Sequence, residues 1–373
     1  MNNKKLREII ISITNRCNLK CKMCDIPQLK KEKELTTAEI TNFIKDLEEL
    51  KPETIVFSGG EPFLREDIFI LLEFAKEQGF RTCITSNGTL ITKDIAVELK
   101  KVKTDIVNIS IEGPEKVHDN LRGEGSFAKS IEALSYLKEQ GIETTIATVV
   151  SKFSYKYLSF MVELAHFLKA TTVKFQIFNE IFLNGPKNSS DFYLEESCFA
   201  EVKKEIIKTI AISRKYRINT NPSAYLKRIP YYLCRKKLDT MALGCSALWE
   251  VCSIDAGGNI YPCWVLTQYL LGNIMTEKIS DIWDNQKHKQ IREEIIGQGC
   301  RGCLMSCYDQ EFKGFSFLEL WLRIVSRVSL AKRENPFDIY YQKHQKKRLE
   351  IEGLKEKLSN KIQKTENNRG KNE

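Results

Sequence analysis

"SITNRCNLKCKMCDIPQ", residues 12–28, places three cysteines, Cys17, Cys21 and Cys24, just after the β-rich run "EIIISIT" at 8–14. The spacing is three residues and then two. Three thiols are an odd number for disulfide bonds and one fewer than a closed tetrahedral zinc site requires. The stretch therefore predicts a metal-binding loop that leaves one metal position open, with a zinc site that takes its fourth ligand elsewhere as the alternative.

Composition favours an intracellular globular protein. The chain has 373 residues, 42% hydrophobic and 29% charged, and it contains twelve cysteines. The first residues show no signal-peptide pattern, and no apolar run has the length of a membrane span. We therefore expect a cytoplasmic protein whose cysteines stay reduced and act as metal ligands or redox groups.

The net charge of +9 is concentrated near the end of the sequence, where residues 332–373 hold twelve Lys or Arg and seven Asp or Glu. This composition predicts a solvated helix and tail, and without interleaved aromatic residues it disfavours a nucleic-acid partner. The apolar spacing at 315–332 predicts an amphipathic helix that packs on its own domain, with contact to a membrane surface as the alternative.

Strand-like runs alternate with helical patterns over the first 180 residues. The further strand-like runs are at 54–60, 81–88, 105–113, 143–150 and 172–178, and the helical patterns include 37–50, 66–78 and 126–140. Apolar strands separated by helices indicate a parallel sheet with both faces covered. We predict an α/β fold, a partial (β/α)6 TIM-like barrel, with its chemistry at the C-terminal ends of the strands.

Four successive strands are each followed by a motif of cysteine, glycine or polar residues, which is not typical of a segment that only packs in a core. The cysteine loop follows the first strand, and "SGGEP" (58–62), "SNG" (86–88) and "SIEGP" (110–114) follow the next three. Glycines let a ligand approach the backbone closely, and a carboxylate can pair with a cation. One site at the mouth of the barrel explains all four motifs.

The C-x3-C-x2-C spacing of Cys17, Cys21 and Cys24 resembles the signature of radical S-adenosylmethionine (SAM) enzymes, although Met23 stands where an aromatic residue is usual. The resemblance implies that the three thiolates hold three irons of a 4Fe–4S cluster and that the fourth iron binds SAM. The stretch "VHDNLRG" (117–123) resembles a signature of the family branch with a SPASM or twitch extension. The SAM-binding residues implied are Gly59, Gly60, Glu61, Pro62, Ser86, Asn87, Ser110, Glu112 and Arg122.

A second cysteine-rich module, 245–307, resembles the SPASM/twitch domain. The resemblance implies one auxiliary 4Fe–4S cluster, and a structural zinc site is the alternative. The implied ligands are Cys245, Cys263, Cys300 and Cys303, with Cys252 and Cys307 as possible replacements. The series ends as C-x2-C-x3-C without a later cysteine, so the six thiols are too few for two complete clusters.

The predicted domains are the barrel core at 1–180, a connector at 181–244, the SPASM/twitch domain at 245–312 and the helix and basic tail at 313–373. The resemblance implies an oxidoreductase or maturase that cleaves SAM reductively, forms a 5′-deoxyadenosyl radical and abstracts hydrogen from a peptide or a small molecule. The small molecule would be a sugar or cofactor precursor, and a flavodoxin- or ferredoxin-type protein would donate electrons. The alternative function is a non-catalytic zinc or iron–sulfur adaptor.

The position of the first cluster cysteine bears on the substrate. Many peptide-modifying relatives carry a recognition domain of about a hundred residues ahead of the barrel, which is a usual domain size. Because Cys17 lies so early in this sequence, we expect either a separate recognition protein or a small-molecule substrate.

Overall fold

In the computed structural model, which describes residues 5–28, 33–183, 189–236, 247–298 and 304, ten strands form one sheet in the order β10-β9-β8-β1-β2-β3-β4-β5-β6-β7. Neighbours from β8 through β1 to β7 are parallel, whereas β9 is antiparallel to both β8 and β10. The strands are β1 Glu8–Thr14, β2 Thr54–Gly59, β3 Arg81–Ser86, β4 Ile106–Ser110, β5 Glu143–Val150, β6 Thr172–Ile177, β7 Asn219–Thr220, β8 Val251–Ile254, β9 Asn259–Tyr261 and β10 Gly272–Asn273.

Helices connect the parallel strands, as a sheet of this kind requires. They are α1 Thr37–Asp46, α2 Ile68–Glu77, α3 Lys93–Lys101, α4 Glu115–Arg122, α5 Ser126–Glu139, α6 Leu158–Leu168, α7 Phe199–Tyr216, α8 Ser223–Leu233, α9 Ala247–Glu250, α10 Ile279–Ile282 and α11 Gln286–Gln298. No helix among the described residues is long and apolar enough to cross a bilayer.

The predicted α/β fold is confirmed. Each of the six predicted strands is present, and some end a few residues earlier than the sequence indicated. The capping box at the start of α1 shows why the chain becomes helical there: the Thr36 hydroxyl accepts from the Glu39 N–H, and the Glu39 carboxylate accepts from the Thr36 N–H. The helix predicted at 315–332 and the basic tail lie outside the described residues.

The two faces of the sheet differ in character. Ile9, Ile11 and Ile13 of β1 are almost completely buried. Positions such as Ser58 of β2 and Ser110 of β4 instead line a cavity at the strand ends. The sheet therefore joins a packed apolar core to a more polar inner surface where ligands can bind.

The second cysteine module begins inside the barrel sheet. Strand β8 runs parallel to β1, with Ile9 opposite Cys252, so it covers an edge of β1 that would otherwise be unpaired. Strands β8 and β9 form an antiparallel hairpin. The Asp255 carboxylate shapes its turn by accepting hydrogen bonds from the Gly257 and Asn259 N–H groups.

Candidate active site

The cysteine loop opens onto a cavity of about 250 Å³ at the C-terminal ends of the strands. Cys17, Cys21 and Cys24 all line it, and each is partly exposed. Burial raises the pKa of the Cys24 thiol to about 11, so a metal ion must displace its proton on binding. Two backbone hydrogen bonds hold the loop, from the Lys22 N–H to the Leu121 carbonyl and from the Asp25 N–H to the Phe182 carbonyl.

The three thiols do not converge on one point. Among the described residues, no three Cys, His, Asp or Glu side chains lie close enough together to share a single metal ion. A 4Fe–4S cube does not need that convergence, because each thiolate binds a different iron atom. The three thiols around one cavity therefore suit a cluster.

Gly59 and Gly60 form a backbone cradle against the start of the cysteine loop. A Cβ at Gly60 would lie 2.1 Å from the Arg16 carbonyl oxygen, and one at Gly59 would lie 2.3 Å from the Thr14 carbonyl oxygen. Gly59 also has a φ of +124°, which side-chain-bearing residues rarely adopt. Only glycine lets these two backbones approach, and both glycines line the cavity.

Glu61 lies behind the cavity wall. Its side chain is completely buried, one carboxylate oxygen accepts from the Ser86 hydroxyl at 2.8 Å, and the other accepts from the Asn87 N–H at 2.8 Å. Burial raises the pKa of Glu61 in spite of these hydrogen bonds. Ser86 and Asn87 line the cavity, whereas Glu61 and Pro62 do not. Glu61 therefore orients two residues that line the cavity.

Arg122 reaches the cavity from the end of α4. Its Nε and Nη2 donate to Glu112 Oε1 at 2.8 and 2.6 Å, and its Nη1 lies 3.9 Å from the Cys21 Sγ. The other Glu112 oxygen accepts from the Val149 N–H at 2.7 Å. Burial acts to lower the pKa of Arg122, but the charge of Glu112, its hydrogen bonds to Arg122 and the nearby Cys21 and Cys24 together raise it, so the guanidinium stays cationic beside the cysteine loop.

Glu112 itself is fully buried and does not line the cavity, whereas Ser110 and Arg122 do. The backbone N–H of Glu112 donates to His118 Nδ1 at 3.2 Å. Burial lowers the pKa of His118 to about 3, so its imidazole is neutral. His118 is therefore part of the support for the Glu112–Arg122 pair.

The sequence did not single out most of the apolar residues that line the cavity. Beside Met23, the lining combines apolar side chains with two amides in or after β6, and the residues are Leu19, Ile26, Pro27, Val149, Gln176, Ile177, Phe178, Asn179 and Phe182. The rule that ligands bind at the C-terminal ends of the strands also applies to β6 and could have indicated these residues. They were missed because apolar residues after a strand look like ordinary core residues in a sequence.

The second module is described only in part. Cys263 is 4% exposed and packs against Val251, and Cys252 is fully buried within β8. Burial raises the pKa of Cys252 well above its ordinary value. Cys245, Cys300 and Cys303, three of the four predicted ligands, and the reserve Cys307 lie outside the described residues.

The cysteines outside both modules have ordinary structural environments. Cys83 of β3 and Cys234 after α8 are buried, and Cys198 precedes α7 with partial exposure. Cys234 is not among the residues that line the cavity.

Fold and site together define an iron–sulfur enzyme built on a partial barrel. Residues 11–165 match the family model of the radical SAM superfamily, and residues 245–304 match the SPASM model, an iron–sulfur cluster-binding domain. The chain belongs to the radical SAM superfamily, as an enzyme with a SPASM domain. This assignment sets aside the non-catalytic adaptor.

Similar proteins include a heme synthase and a mycofactocin maturase. The chain is 29% identical over 322 residues to the AdoMet-dependent heme synthase of Oleidesulfovibrio alaskensis, covering 80% of each chain. It is 26% identical over 301 residues to the mycofactocin maturase MftC of Mycolicibacterium smegmatis, covering 78% of this chain and 74% of that protein.

Among solved structures, Streptococcus suis SuiB bound to its precursor peptide SuiA superposes with a TM-score of 0.62 at 20% identity, covering 78% of this chain and 67% of SuiB. An anSMEcpe structure with bound AdoMet and a peptide gives a TM-score of 0.60 at 20% identity, covering 76% and 81%. At this identity these likenesses show the fold.

The superfamily binds a 4Fe–4S cluster together with SAM, and the SPASM domain binds auxiliary iron–sulfur clusters. The first site suits its cofactors on its own chemistry. Three partly exposed thiols face one cavity, two glycines that line it let the cysteine-loop backbone approach closely, and Arg122 can attract a carboxylate.

Proposed function

We propose that this enzyme cleaves SAM reductively and abstracts a hydrogen atom from an unreactive C–H bond of its substrate. A SAM-binding 4Fe–4S cluster supplies the one-electron cleavage of SAM to methionine and a 5′-deoxyadenosyl radical. The observation that carries this proposal is the meeting of Cys17, Cys21, Cys24 and the glycine cradle around one cavity.

The roles of the residues follow from their placement. The cluster ligands are Cys17, Cys21 and Cys24, and the SAM-facing residues are Gly59, Gly60, Ser86, Asn87, Ser110 and Arg122, all of which line the cavity. Glu61 and Glu112 act behind them, by orienting Asn87 and Arg122 respectively. In the second domain, Cys245, Cys263, Cys300 and Cys303 hold one auxiliary cluster, and a flavodoxin- or ferredoxin-type protein supplies electrons.

The reaction is tested by anaerobic reconstitution with iron and sulfide, followed by addition of dithionite and SAM. We expect 5′-deoxyadenosine to form with the wild-type protein and to be absent with the Cys21→Ala variant. Wild-type protein that carries the cluster but yields no 5′-deoxyadenosine would contradict the proposed function.

For the substrate we propose a cofactor precursor of the tetrapyrrole type. Relatives named as AdoMet-dependent heme synthases and an Fe-coproporphyrin III synthase match 74–81% of the chain at 27–29% identity. The cavity lining agrees with an apolar substrate face, because it includes Val149, Phe178 and Phe182. The probe is Fe-coproporphyrin III, which should increase 5′-deoxyadenosine formation and itself change in mass.

A peptide substrate is the second candidate. The mycofactocin maturases support it at 25–27% identity. If Fe-coproporphyrin III leaves 5′-deoxyadenosine formation unchanged while a short peptide encoded beside the gene increases it, the peptide is the substrate class and the tetrapyrrole proposal is wrong.

A further inference from the structure

Arg65 is a buried arginine whose place in the fold none of the cofactor roles explains. It follows the short 3-10 turn Pro62–Leu64, directly after the glycine cradle and Glu61, and only 8% of it is exposed. It does not line the cavity. A cation taken out of water is costly unless it is paired and its donors are satisfied, so its surroundings require an explanation.

The contacts of Arg65 join the two ends of the cysteine loop. Its Nη1 donates to the Ile13 carbonyl at 2.9 Å, near the end of β1 before the loop, and to the Leu35 carbonyl at 2.8 Å, after the loop and before α1. The loop between these two residues carries Cys17, Cys21 and Cys24. One guanidinium nitrogen therefore fixes the separation of the two ends.

Asp67 holds that guanidinium in place. Its Oδ1 accepts from Arg65 Nε at 2.8 Å and its Oδ2 accepts from Nη2 at 2.6 Å, which is the two-pronged pairing that a planar guanidinium favours. Oδ2 also accepts from the Thr37 hydroxyl at 2.6 Å. A lysine could carry the charge but could not reproduce this fork together with both carbonyl contacts.

Glu34 also joins the two ends of the cysteine loop. The Glu34 Oε1 accepts from the Thr14 hydroxyl at 2.6 Å and from the Asn15 N–H at 2.9 Å. The Leu35 N–H donates to the Ala256 carbonyl at 2.9 Å, in the turn of the β8–β9 hairpin. The base of the cysteine loop is thus fastened both to its own strand and to the second cysteine module.

We propose that Arg65 is a positioning residue that fixes both ends of the cysteine loop and so sets the geometry in which Cys17, Cys21 and Cys24 hold the cluster. A buried ion pair is a weak source of stability compared with well-packed apolar groups, which favours a role in positioning. Supporting residues of this kind orient metal ligands in many sites. The inference rests on the proposed function, because it assumes a cluster at these cysteines.

The test compares three full-length variants after anaerobic reconstitution: Arg65→Lys, Arg65→Met and, as a control, Asp105→Asn. Asp105 accepts from Lys76 at 2.8 Å and from the Thr82 N–H at 2.8 Å, so its substitution disturbs a partly buried network that includes none of the loop residues. The measurements are the rate of iron loss to a chelator and the electron paramagnetic resonance (EPR) spectrum of the reduced cluster with and without SAM. The Cys17→Ala/Cys21→Ala/Cys24→Ala variant provides the spectrum of the auxiliary cluster for subtraction.

We expect Arg65→Met to release the iron of the SAM-binding cluster about ten- to a hundredfold faster than wild type, with an altered EPR signal, while the auxiliary cluster is unchanged. Arg65→Lys should release iron at a rate between those of wild type and Arg65→Met. Asp105→Asn should keep the wild-type rate even if its melting temperature falls. If Arg65→Met does not fold, Arg65→Lys and Glu34→Gln test the proposal instead. Each is expected to release iron faster than the Asp105→Asn control.

Release at the wild-type rate from the Arg65 variants, or equal acceleration in an Asp105→Asn protein of the same melting temperature, would overturn the proposal. The assay uses neither substrate nor turnover. A failure of the proposed function therefore appears separately, as wild-type protein whose EPR signal does not respond to SAM.

Discussion

The cysteine loop and the strand cysteines present the same side chain in two environments. Cys17, Cys21 and Cys24 follow the C-terminal end of β1 and are partly exposed to one cavity. Cys83 and Cys252 lie within strands β3 and β8, with 4% and 0% of their surface exposed. A thiol becomes a candidate metal ligand here through its place at a strand end.

Burial raises the pKa of the thiols in both groups, to about 11 for Cys24 and about 12 for Cys83. The loop cysteines differ from the strand cysteines in that they line the cavity together with Gly60 and Arg122. The following predictions test this comparison.

Replacing a loop cysteine should have the largest effect. Cys21→Ala removes one of three thiolates that hold the cluster, so we expect no detectable 5′-deoxyadenosine. The Cys17→Ala/Cys21→Ala/Cys24→Ala variant should contain about four iron atoms per chain after reconstitution, against about eight in the wild type. About twelve iron atoms in the wild type would instead indicate two auxiliary clusters and contradict the ligands proposed for the second module.

Gly60→Ala should come next. The added Cβ would lie 2.1 Å from the Arg16 carbonyl oxygen, so the backbone of the cradle or of the cysteine loop has to move. We expect SAM binding to weaken about a hundredfold, because a displacement of about 1 Å in a positioned site has effects of that size. Equilibrium binding of SAM to the reconstituted protein measures this.

Gly79→Ala is the matched control for the cradle. Its added Cβ meets nothing within 4 Å, although its φ of +85° makes the substitution mildly unfavourable. It should lower the free energy of unfolding by about 1–2 kcal/mol and leave SAM affinity unchanged. Equal losses of SAM affinity in both variants would show that close backbone approach is not what the cradle supplies.

Glu61→Gln should have an intermediate effect. A carboxamide can accept through its oxygen only, so the Ser86 hydroxyl or the Asn87 N–H loses its buried acceptor. Leaving such a group unsatisfied costs about 1–3 kcal/mol, and we expect SAM to bind about tenfold more weakly. SAM affinity equal to wild type would show that the carboxylate does not orient this wall.

Cys252→Ala should have the smallest effect. The thiol is fully buried in β8, so its removal should cost about 1–2 kcal/mol of unfolding free energy and leave the iron content unchanged. Chemical denaturation and iron analysis measure the two quantities. A loss of about four iron atoms would identify Cys252 as a ligand of the auxiliary cluster.

The sequence predicted the parts of the molecule that depend on local pattern. Apolar runs separated by helical periodicity gave the order of strands β1 to β6, and the rule that ligands bind at C-terminal strand ends led to one shared site. It did not reveal that β8 pairs with β1, because this four-residue strand depends on a distant partner for its hydrogen bonds.

The sequence also could not predict which side chains of the strand-end motifs face the cavity. Glu61 and Glu112 belong to strand-end motifs, yet both are buried behind residues that face the cavity. Their orientation depends on donors elsewhere in the chain, the Asn87 N–H and Arg122. The part played by Arg65 was hidden for the same reason, because its carbonyl partners lie 52 and 30 residues away.

The central claim is that Cys17, Cys21 and Cys24 hold a cluster whose remaining iron binds SAM. EPR spectroscopy of anaerobically reconstituted, dithionite-reduced protein, recorded before and after addition of SAM, tests it most directly. We predict a shifted signal in the wild type and none in the Cys17→Ala/Cys21→Ala/Cys24→Ala variant, which retains only the auxiliary signal. A wild-type spectrum that SAM leaves unchanged would contradict the account.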